Sequence, residues 1–368
     1  MKKQKYDIAA FIWPSYSGND PRSLLFWPEG RGEWQTVRDA KPKFPGHVEP
    51  RKPLWGYLNE ANPDVMEMQI NAAVRHGVNV FIYDWYWYDN RPFLEDCLND
   101  GFLGAPNNTD MQFYLMWANH DAGYLWDKRN SHDGKTIIWE GAADRTKFET
   151  VCKRITEKYF SKPNYYKIDG KPVFTIYDLQ NLIKGLGGIK ETKEAFEWFD
   201  QYSVKAGYGG VHFQLTLWGG NETTLPDGTK MKDSAIAPLA GFSSITNYQF
   251  VHMVNIKRDF GLILEDIKES WEVYSKFGIT YFPHVSVGWD NNARFHAYDD
   301  YLLSGNTPEK IEEALRAAKD FLNRHPEIPA LITINSWNEW TEGSYLQPDS
   351  LYGYGYLEAI RKVFKEEA

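Results

Sequence analysis

The 368-residue sequence contains only two cysteines, no long run of apolar residues and no cluster of basic residues. Cys97 and Cys152 lie far apart and outside any CxxC pattern, which excludes a disulfide framework and a cysteine zinc site, so both are interpreted as structural thiols. No stretch approaches the ~18 consecutive apolar residues of a membrane span. A nucleic-acid partner would need clustered Lys and Arg, whereas the formal net charge here is −9.

The start of the chain, MKKQKYDIAAFIWPSY, is basic but lacks the apolar segment of a signal peptide, because Asp7 and Pro14 interrupt it. The sequence as given therefore predicts a cytoplasmic location. Removal of a leader from a longer precursor would instead predict a periplasmic or surface location. A monomer is compatible with the sequence, which says little about the oligomeric state.

Several catalytic signatures are also missing. The chain has no HExxH motif, no EF-hand loop and no GxSxG elbow, and the glycines in residues 184–190 lack phosphate-loop spacing and predict an ordinary turn. No metal ion or organic cofactor is therefore predicted. Aromatic residues, in contrast, make up 16% of the chain. Tryptophan and tyrosine combine an apolar face with a polar tip, which suits either a large core or the face of a sugar ring.

Eight runs of apolar, β-branched or aromatic residues predict eight strands, several of them typical of parallel strands covered on both faces. They cover residues 6–13, 78–85, 112–118, 172–177, 211–218, 243–248, 280–287 and 330–336. Helical patterns lie between them, at residues 63–76, 144–159, 191–206, 257–277 and 308–324, with a last one at 353–366. This alternation, without repeats or linkers, predicts an α/β protein with a single domain over residues 1–368, a (β/α)8 TIM barrel.

Residues 14–62 and 119–143 fit no regular element. They follow the first and third predicted strands, so a barrel would place both at its catalytic face. Long loops in compact domains often have functional roles. We therefore expect these two segments to help form a binding site.

The active site of a barrel lies at the carboxyl ends of its strands, and the residues there are mostly polar or aromatic. They include Tyr16, Asp84, Trp85, Asn119, His120, Tyr177, Trp218, Tyr248, Trp289, Asp290 and Arg294. A carboxylate such as Asp84 after an apolar run indicates either function or a salt bridge to an arginine. His120 fits a structural or a catalytic role. Arg294 is expected to pair with Asp290 rather than to bind an anionic substrate.

The eighth predicted strand runs into NSWNEWTEG, residues 335–343. Glu339 and Glu342 are three residues apart, which places them side by side on a helical turn. Two neighbouring carboxyls repel each other, so that one tends to keep a proton near neutral pH. Glycosidic cleavage requires such a pair, one group protonated and one ionised. The alternative interpretation is a pair of surface glutamates in a strand-to-helix loop.

The chain resembles the family 99-like glycoside hydrolases, also called WbsX-like, which are related to the family 99 endo-α-mannosidases and endomannanases. The resemblance lies in FIWPSYS near the start, NVFIYDWYWYDNRPF (79–93), QFYLMWANHD (112–121), VSVGWDNNAR (285–294) and INSWNEWTEGSYLQPD (334–349). It implies a (β/α)8 barrel and a retaining reaction through a 1,2-anhydro sugar. Glu339 would then be the base on the 2-hydroxyl of the sugar, and Glu342 the acid/base. A carboxylate nucleophile is the alternative.

Together, these observations predict a retaining glycoside hydrolase that acts on a polysaccharide or glycan, with α-mannosides as one candidate. Glu339 and Glu342 are the expected catalytic residues. The expected sugar-binding residues are Tyr16, Asp84, Trp85, Trp117, Asn119, His120, Trp289, Asp290 and Asn338. The alternatives are a glycosyl transferase or transglycosylase in polysaccharide assembly, a label that some WbsX-like relatives have, and a non-catalytic sugar-binding barrel.

Overall fold

The computed structural model describes residues 6–366; residues 1–5, the basic start considered above as a leader, and residues 367–368 lie outside the described part. A curled sheet of parallel strands forms the centre of the fold. The strands are β1 (Asp7–Ile12), β2 (Val80–Tyr88), β3 (Gln112–Trp117), β4 (Lys171–Ile176), β5 (His212–Thr216), β6 (Ser244–Thr246), β7 (the two segments Thr280–Tyr281 and His284–Ser286) and β8 (Leu331–Asn335). Each strand pairs with its neighbours in chain order, and β8 pairs with β1.

The ring closes through β7, whose two segments face different neighbours. The first segment pairs with β6 and the second with β8. Between them, the Phe282 N–H donates to the carbonyl of Ile245 (2.9 Å), and the Pro283 carbonyl accepts from the Thr333 N–H (3.1 Å). Proline has no N–H for a ladder bond, so the strand changes partners here without leaving a buried donor unpaired. The predicted (β/α)8 barrel is confirmed.

Helices surround the sheet and alternate with its strands. They are α1 (Trp34–Arg38), α2 (Pro63–His76), α3 (Arg145–Ile155), α4 (Leu179–Leu186), α5 (Ile189–Lys205), α6 (Asp233–Ala240), α7 (Phe260–Tyr274), α8 (Pro308–Arg324) and α9 (Gly355–Arg361). Helix α2 has the ends that its sequence predicts. The Asn62 side chain accepts from the Asp64 N–H, Pro63 takes the first position, and Gly77 ends the helix at φ +103°.

Besides the short α1, two helices, α4 and α6, are not predicted by the sequence patterns. Residues 184–190 were expected to form a turn, but α4 continues to Leu186 and only two glycines separate it from α5. Gly187 adopts φ +99°, a left-handed conformation that favours glycine. Helix α6 contains Pro238, a residue that argues against a helix interior. Both helices have eight residues, too few to give a clear periodic pattern.

Shorter elements extend the ends of the strands. The antiparallel pairs are Ala122–Gly123 with Ile137–Trp139, Glu222–Thr224 with Lys230–Lys232, Asn338–Glu339 with Ser344–Tyr345, Arg91–Phe93 with β2, and Lys167–Ile168 with β4. Helical turns occur at Pro21–Leu25, Cys97–Phe102, Asn108–Asp110, Tyr124–Trp126, Thr156–Phe160, Phe250–His252, Asn291–Ala293, Trp340–Glu342 and Lys362–Glu366. The two segments predicted to be irregular, 14–62 and 119–143, thus contain α1 and a small hairpin.

The interior of the barrel is partly polar. The Gln214 amide oxygen accepts from the hydroxyls of Thr175 (2.9 Å) and Tyr114 (3.3 Å). The Thr333 hydroxyl lies 2.7 Å from that of Thr246 and 2.9 Å from His284 Nδ1. Because every one of these groups is buried, the network fixes the strands in one register.

Cys97 and Cys152 are buried and unpaired, in keeping with structural thiols. Within residues 6–366, none of the helices has the length and apolar character needed to cross a bilayer.

Glu95 fastens the segment after β2 to helix α3. Its carboxylate accepts from Arg154 (2.6 Å), Trp85 Nε1 (2.8 Å) and the Tyr159 hydroxyl (2.8 Å). Burial alone would raise the pKa of Glu95. Hydrogen bonds from Arg154 and Trp85, with the charges of Arg154 and Lys158, outweigh burial and lower this pKa to about 2. The ionised form of Glu95 therefore stabilises the fold.

Glu95→Gln is expected to remove part of the loss of stability at acidic pH. A depressed pKa contributes stability above the ordinary value of 4.5, and that stability is lost as pH falls through about 2. The difference between 4.5 and about 2 corresponds to on the order of 3 kcal/mol at neutral pH. Urea unfolding at pH 7 and pH 3 measures it, with the more exposed Glu149→Gln on α3 as control. Parallel pH dependence of wild type and Glu95→Gln would contradict the assignment.

Candidate active site

A pocket of about 240 Å³ opens at the carboxyl ends of the strands. Pockets for drug-sized ligands span ~300–1,000 Å³, so this one is slightly smaller than that range. Its walls combine aromatic faces with carboxyl groups. The lining residues are Trp13, Asp84, Tyr86, Met116, Ala118, His120, Leu125, Trp126, Tyr177, Trp218, Tyr248, Arg294, Glu339 and Glu342.

Glu339 and Glu342 project into the pocket from the turn that follows β8. Asn338–Glu339 pairs with Ser344–Tyr345, and Trp340–Glu342 forms one turn of 3₁₀ helix between them. In a 3₁₀ turn, residues three apart lie directly above one another. Both glutamates are nearly buried, with 4% and 7% of their surface exposed. The alternative of two solvated surface glutamates does not match this geometry.

The buried side chain of Arg294 lies between three carboxylates. It donates to Glu342 Oε1 (2.6 Å), Glu339 Oε1 (3.4 Å) and Glu33 Oε1 (3.0 Å). One guanidinium therefore holds both pocket glutamates side by side. The expected pair of Arg294 with Asp290 is wrong, because the Asp290 carboxylate turns to other cations.

The two glutamates have different electrostatic surroundings. Burial raises the pKa of Glu339 well above its usual range, and the nearby charges of Glu342 and Asp84 raise it further against the opposing effect of Arg294. Burial also raises the pKa of Glu342, but the charge and the short hydrogen bond of Arg294 act directly against it. Arg294 therefore opposes protonation of Glu342 more directly than protonation of Glu339.

Asp84 contributes a third carboxyl group. Its Oδ2 lies 2.8 Å from the Tyr248 hydroxyl, which in turn lies 2.9 Å from Glu339 Oε2. Its Oδ1 is buried without a hydrogen-bond partner among the described residues. Burial raises the pKa of Asp84 well above its usual range, and the charge of Glu342 adds to this. Over residues 6–366, no arginine forms a salt bridge with Asp84, so the structure does not show that alternative.

His120 also faces the pocket. Its Nδ1 lies 2.9 Å from the carbonyl of Asp121, a contact that assigns the ring hydrogen to Nδ1 and leaves Nε2 as an acceptor. Burial lowers the pKa of His120, which keeps the ring neutral. His120 is thus equipped to accept a hydrogen bond from a hydroxyl group.

Two pairs of aromatic rings line the pocket. The rings of Trp13 and Trp126 are 5.2 Å apart, and those of Tyr177 and Trp218 are 5.3 Å apart in an edge arrangement. The tryptophans of the NSWNEWTEG segment do not contribute, since Trp340 stacks on another ring at 3.8 Å behind the turn. The pocket is therefore walled by tryptophan, although by other tryptophans than the sequence indicated.

Trp85 and Trp117, expected to bind sugar, lie outside the pocket. Successive side chains of a strand point to opposite faces. Asp84 and Tyr86 face the pocket, so Trp85 between them faces the helices. Trp117 likewise packs against Phe148 of α3, with 6.2 Å between ring centroids.

Tyr16 and Asn338 lie behind the pocket and hold its walls. The Tyr16 hydroxyl accepts from the backbone N–H of Trp340 (3.1 Å). The Asn338 amide accepts from the Trp13 N–H (2.8 Å) and donates to the Trp13 carbonyl (2.9 Å). Both side chains are fully buried. Asn338 positions the pocket residue Trp13, and Tyr16 holds the turn that carries the two glutamates.

Asn119 and Trp289 are also separated from the pocket by one layer. The Asn119 side chain exchanges two 2.8 Å hydrogen bonds with the backbone of Asp178. Trp289 contacts the ring of His252, which stacks at 4.0 Å on the pocket residue Trp218. Of the nine expected sugar-binding residues, the structure thus brings Asp84 and His120 to the glutamate pair.

Asp290 supports the pair from outside the pocket. Its carboxylate accepts from His47 (2.8 Å) and Arg51 (2.9 Å), and its N–H donates to the Glu342 carbonyl (2.6 Å). Burial opposes ionisation, but the His47 hydrogen bond and the Arg51 charge outweigh it and hold the pKa of Asp290 well below its usual range. The ligand atoms of His47, Glu49 and Asp290 lie within 4.8 Å of one another, as in a metal site. Arg51 already supplies the positive charge there, since it bonds to both carboxylates.

Several pocket residues were missed at the level of sequence. Tyr86 could have been found, because strand alternation places it on the same face as Asp84. Trp13, two residues beyond Phe11 of β1, is reached by the same rule. Trp126 and the buried Glu33 lie in the segments without periodicity, where no pattern signals the direction of a side chain.

A family model described as Glycosyltransferase WbsX matches residues 8–360. The chain belongs to the WbsX family. Two curated relatives, both the uncharacterized protein WxcX of Xanthomonas campestris pv. campestris, are 28% identical over 363 residues. The match covers 97% of this WbsX chain and 49% of each relative. The chain thus spans about half the length of these relatives, and its organisation as a single domain stays a prediction.

Solved structures with the same fold come from glycoside hydrolases. The GH99 endo-alpha-mannosidase from Bacteroides thetaiotaomicron is 15% identical with a TM-score of 0.61, covering 99% of this chain and 98% of that one. A glycoside hydrolase-like protein is 16% identical with a TM-score of 0.64, covering 99% and 95%. At these identities the likeness concerns the fold. The resemblance of this WbsX-family chain to the family 99-like group is confirmed.

Proposed function

We propose that this WbsX-family protein is a retaining glycoside hydrolase that cleaves a neutral glycan with Glu339 and Glu342. One observation supports the proposal above all. Two buried carboxyls share a pocket and a guanidinium, yet their surroundings favour a proton on one and a charge on the other. Such a pair is what cleavage of a glycosidic bond requires.

The closeness of the two carboxyls favours retention. Inverting enzymes hold their carboxyls ~6.5–9.5 Å apart to admit a water, whereas retaining enzymes hold them ~5–5.5 Å apart. Here both groups contact the single guanidinium of Arg294. This shared partner supports the shorter separation.

Participation of the sugar's own 2-hydroxyl fits this arrangement. Glu339 takes the hydroxyl proton while the 2-oxygen bonds to the anomeric carbon, and Glu342 protonates the departing oxygen as its bond breaks. Water then opens the 1,2-anhydro ring, giving its proton to Glu342, and Glu339 returns its proton to the 2-oxygen. Arg294 favours the charged form of Glu342, so this route requires that Glu342 take up a proton before the glycosidic bond breaks.

The charges of the lining favour a neutral sugar. The pocket presents three carboxyl groups, and each nitrogen of its one guanidinium, Arg294, already donates to a carboxylate. A uronic acid, a sulfate or the diphosphate of a nucleotide sugar would bring negative charge against these groups. The name of the GH99 neighbours makes α-mannosides the first candidates. The family description supports a second candidate function, transfer of the glycosyl unit to another sugar instead of water through the same two glutamates.

We expect a panel of neutral glycans to contain a substrate whose first product retains its anomeric configuration, and acidic polysaccharides to be left intact. Proton NMR of the first product reports the configuration, and an added acceptor glycan separates hydrolysis from transfer. The Glu342→Gln protein, prepared in parallel, controls for contaminating activity. An inverted product would contradict retention. Binding without turnover across the panel would instead indicate a sugar-binding barrel.

A further inference from the structure

The Tyr248 hydroxyl bridges two carboxyl groups. Its oxygen lies 2.8 Å from Asp84 Oδ2 and 2.9 Å from Glu339 Oε2, both ordinary hydrogen-bond distances. Asp84 belongs to β2, Tyr248 follows β6 and Glu339 follows β8, so the three residues meet across the mouth of the barrel.

Counting hydrogens constrains the charges of this chain of groups. A phenol has one hydrogen and can donate it to one carboxyl only. The second short contact needs a hydrogen from the other carboxyl, because an ionised carboxylate is an acceptor only. At least one of Asp84 and Glu339 therefore carries a proton while both contacts exist. Ionisation of Tyr248 does not remove this requirement, because burial raises the pKa of Tyr248 well above its usual range.

The surroundings hold the hydroxyl in place and, within residues 6–366, add no other hydrogen-bond partner for it. Phe11 and Tyr177 enclose the Tyr248 ring, with centroids at 4.8 Å and 5.1 Å. The titratable and charged groups that face the chain from other elements include Glu342, Arg294, Glu33, Tyr16, Tyr86, Tyr177 and His252. Arg294 contacts Glu339 but not Asp84, so Asp84 has no cation partner among the described residues.

We propose that Asp84 and Glu339 are never ionised together, because the Tyr248 hydroxyl couples them, and that Asp84 keeps a proton for as long as Glu339 acts as a base. With Asp84 protonated, its hydrogen points to Tyr248 and the phenol hydrogen points to Glu339, which stabilises the ionised Glu339. If Asp84 ionises, the phenol hydrogen turns to Asp84 and Glu339 regains a proton. Asp84 is a positioning residue in this scheme. Its catalytic value rests on the proposed function, but the coupling itself does not.

Carbon-13 NMR of Asp84 Cγ and Glu339 Cδ against pH tests the coupling without any substrate. The wild type is expected to show two midpoints about three pH units apart, as for carboxyls that share a site. Tyr248→Phe keeps the two carboxyls but removes the bridging hydroxyl, and should shrink the separation by at least about one unit. An unchanged separation in Tyr248→Phe, or independent single steps in the wild type, would overturn the proposal.

A second variant keeps the test valid if Tyr248→Phe does not fold. Glu339→Gln supplies an amide N–H to Tyr248, so the phenol hydrogen is free to stabilise an ionised Asp84, and the Asp84 midpoint should fall by about one unit or more. Asp178→Asn is the matched control, a half-buried carboxyl near the pocket that does not touch Tyr248, and should leave both midpoints in place. An Asp84 midpoint that stays fixed in Glu339→Gln would overturn the proposal.

Activity supplies an independent readout. With any glycan cleaved in the substrate panel, Asp84→Asn should move the acidic limb of the kcat/KM profile to lower pH, because the neutral amide always donates to Tyr248. A limb that stays in place in Asp84→Asn would overturn the proposal. If no glycan is cleaved but the NMR titration shows the coupling, the proposed function is wrong and the coupling of Asp84 and Glu339 through Tyr248 is still supported.

Discussion

Glu342→Gln is expected to lower kcat on a cleaved glycan by about 10²–10⁴-fold, the usual contribution of a general acid–base group. Glutamine keeps the size of the side chain and still accepts a hydrogen bond from Arg294, but it cannot exchange a proton with a sugar oxygen or with water. Glu342 Oε2 is buried and has no partner in the described part of the chain, so it is available for that exchange. Steady-state kinetics measures the loss, and KM should change little.

The control for this experiment is Glu313→Gln on the exposed face of α8, which should leave kcat unchanged. Thermal unfolding of both variants verifies that the fold is intact. Turnover at the wild-type rate in Glu342→Gln would remove Glu342 from the mechanism.

A substrate with a better leaving group distinguishes the acid from the base among the two glutamates. A glycosyl fluoride needs little protonation, so the loss in the variant that lacks the acid should shrink with this substrate, while the loss in the variant that lacks the base should persist. The resemblance implies that Glu342→Gln is the rescued variant and Glu339→Gln the inactive one. The reverse pattern would exchange their roles.

Arg294→Met is expected to destabilise the fold by about 3–5 kcal/mol, the usual effect of removing one partner from a buried ion pair. The substitution preserves much of the volume but leaves Glu33, which is 0% exposed, without its cation. Urea unfolding measures the change in free energy. Arg361→Met on the exposed face of α9 is the control and should stay within about 0.5 kcal/mol of wild type.

The effect of Arg294→Met should also depend on pH. Arg294 lowers the pKa of Glu339 and Glu342, so its removal raises both folded-state values further above their unfolded ones. A raised carboxyl pKa means that stability is lost as pH rises through the folded value. The variant should therefore be closer to wild type at pH 5 than at pH 8. An equal loss at both pH values would show that lost packing, not charge, dominates.

The barrel and the glutamate pair were predictable because they depend on local patterns. Parallel strands buried on both faces give continuous apolar runs, and the residues after those runs gather at one rim whatever the details of packing. The rule correctly drew attention to Asp84, His120 and Tyr248. It failed for Trp85, because β2 runs on to Tyr88 and alternation, rather than nearness to the strand end, decides which face a residue occupies.

The rest of the site depends on contacts between distant segments. Glu33 meets Arg294 across 261 positions of sequence, and His47 meets Asp290 across 243. Neither residue lies in a periodic element that would give its side chain a direction. Arg294 could be expected to find a carboxylate because a buried cation needs one, but its choice of Glu33 over Asp290 follows from how two loops pack.

In the segment after β8, some side chains bond to the scaffold behind the turn and others reach the pocket. Trp337, Asn338 and Trp340 bond to the scaffold behind the turn, through Gln69, Glu60 and Gln347, whereas only the two acids reach the front. The tryptophans of this motif are thus a sign of the fold, whereas the two acids are a sign of the proposed reaction. A relative that kept the tryptophans but had other residues in place of Glu339 and Glu342 would still be assigned to the family from its sequence. It would keep the contacts behind the turn but lack the paired carboxyls that the proposed reaction needs.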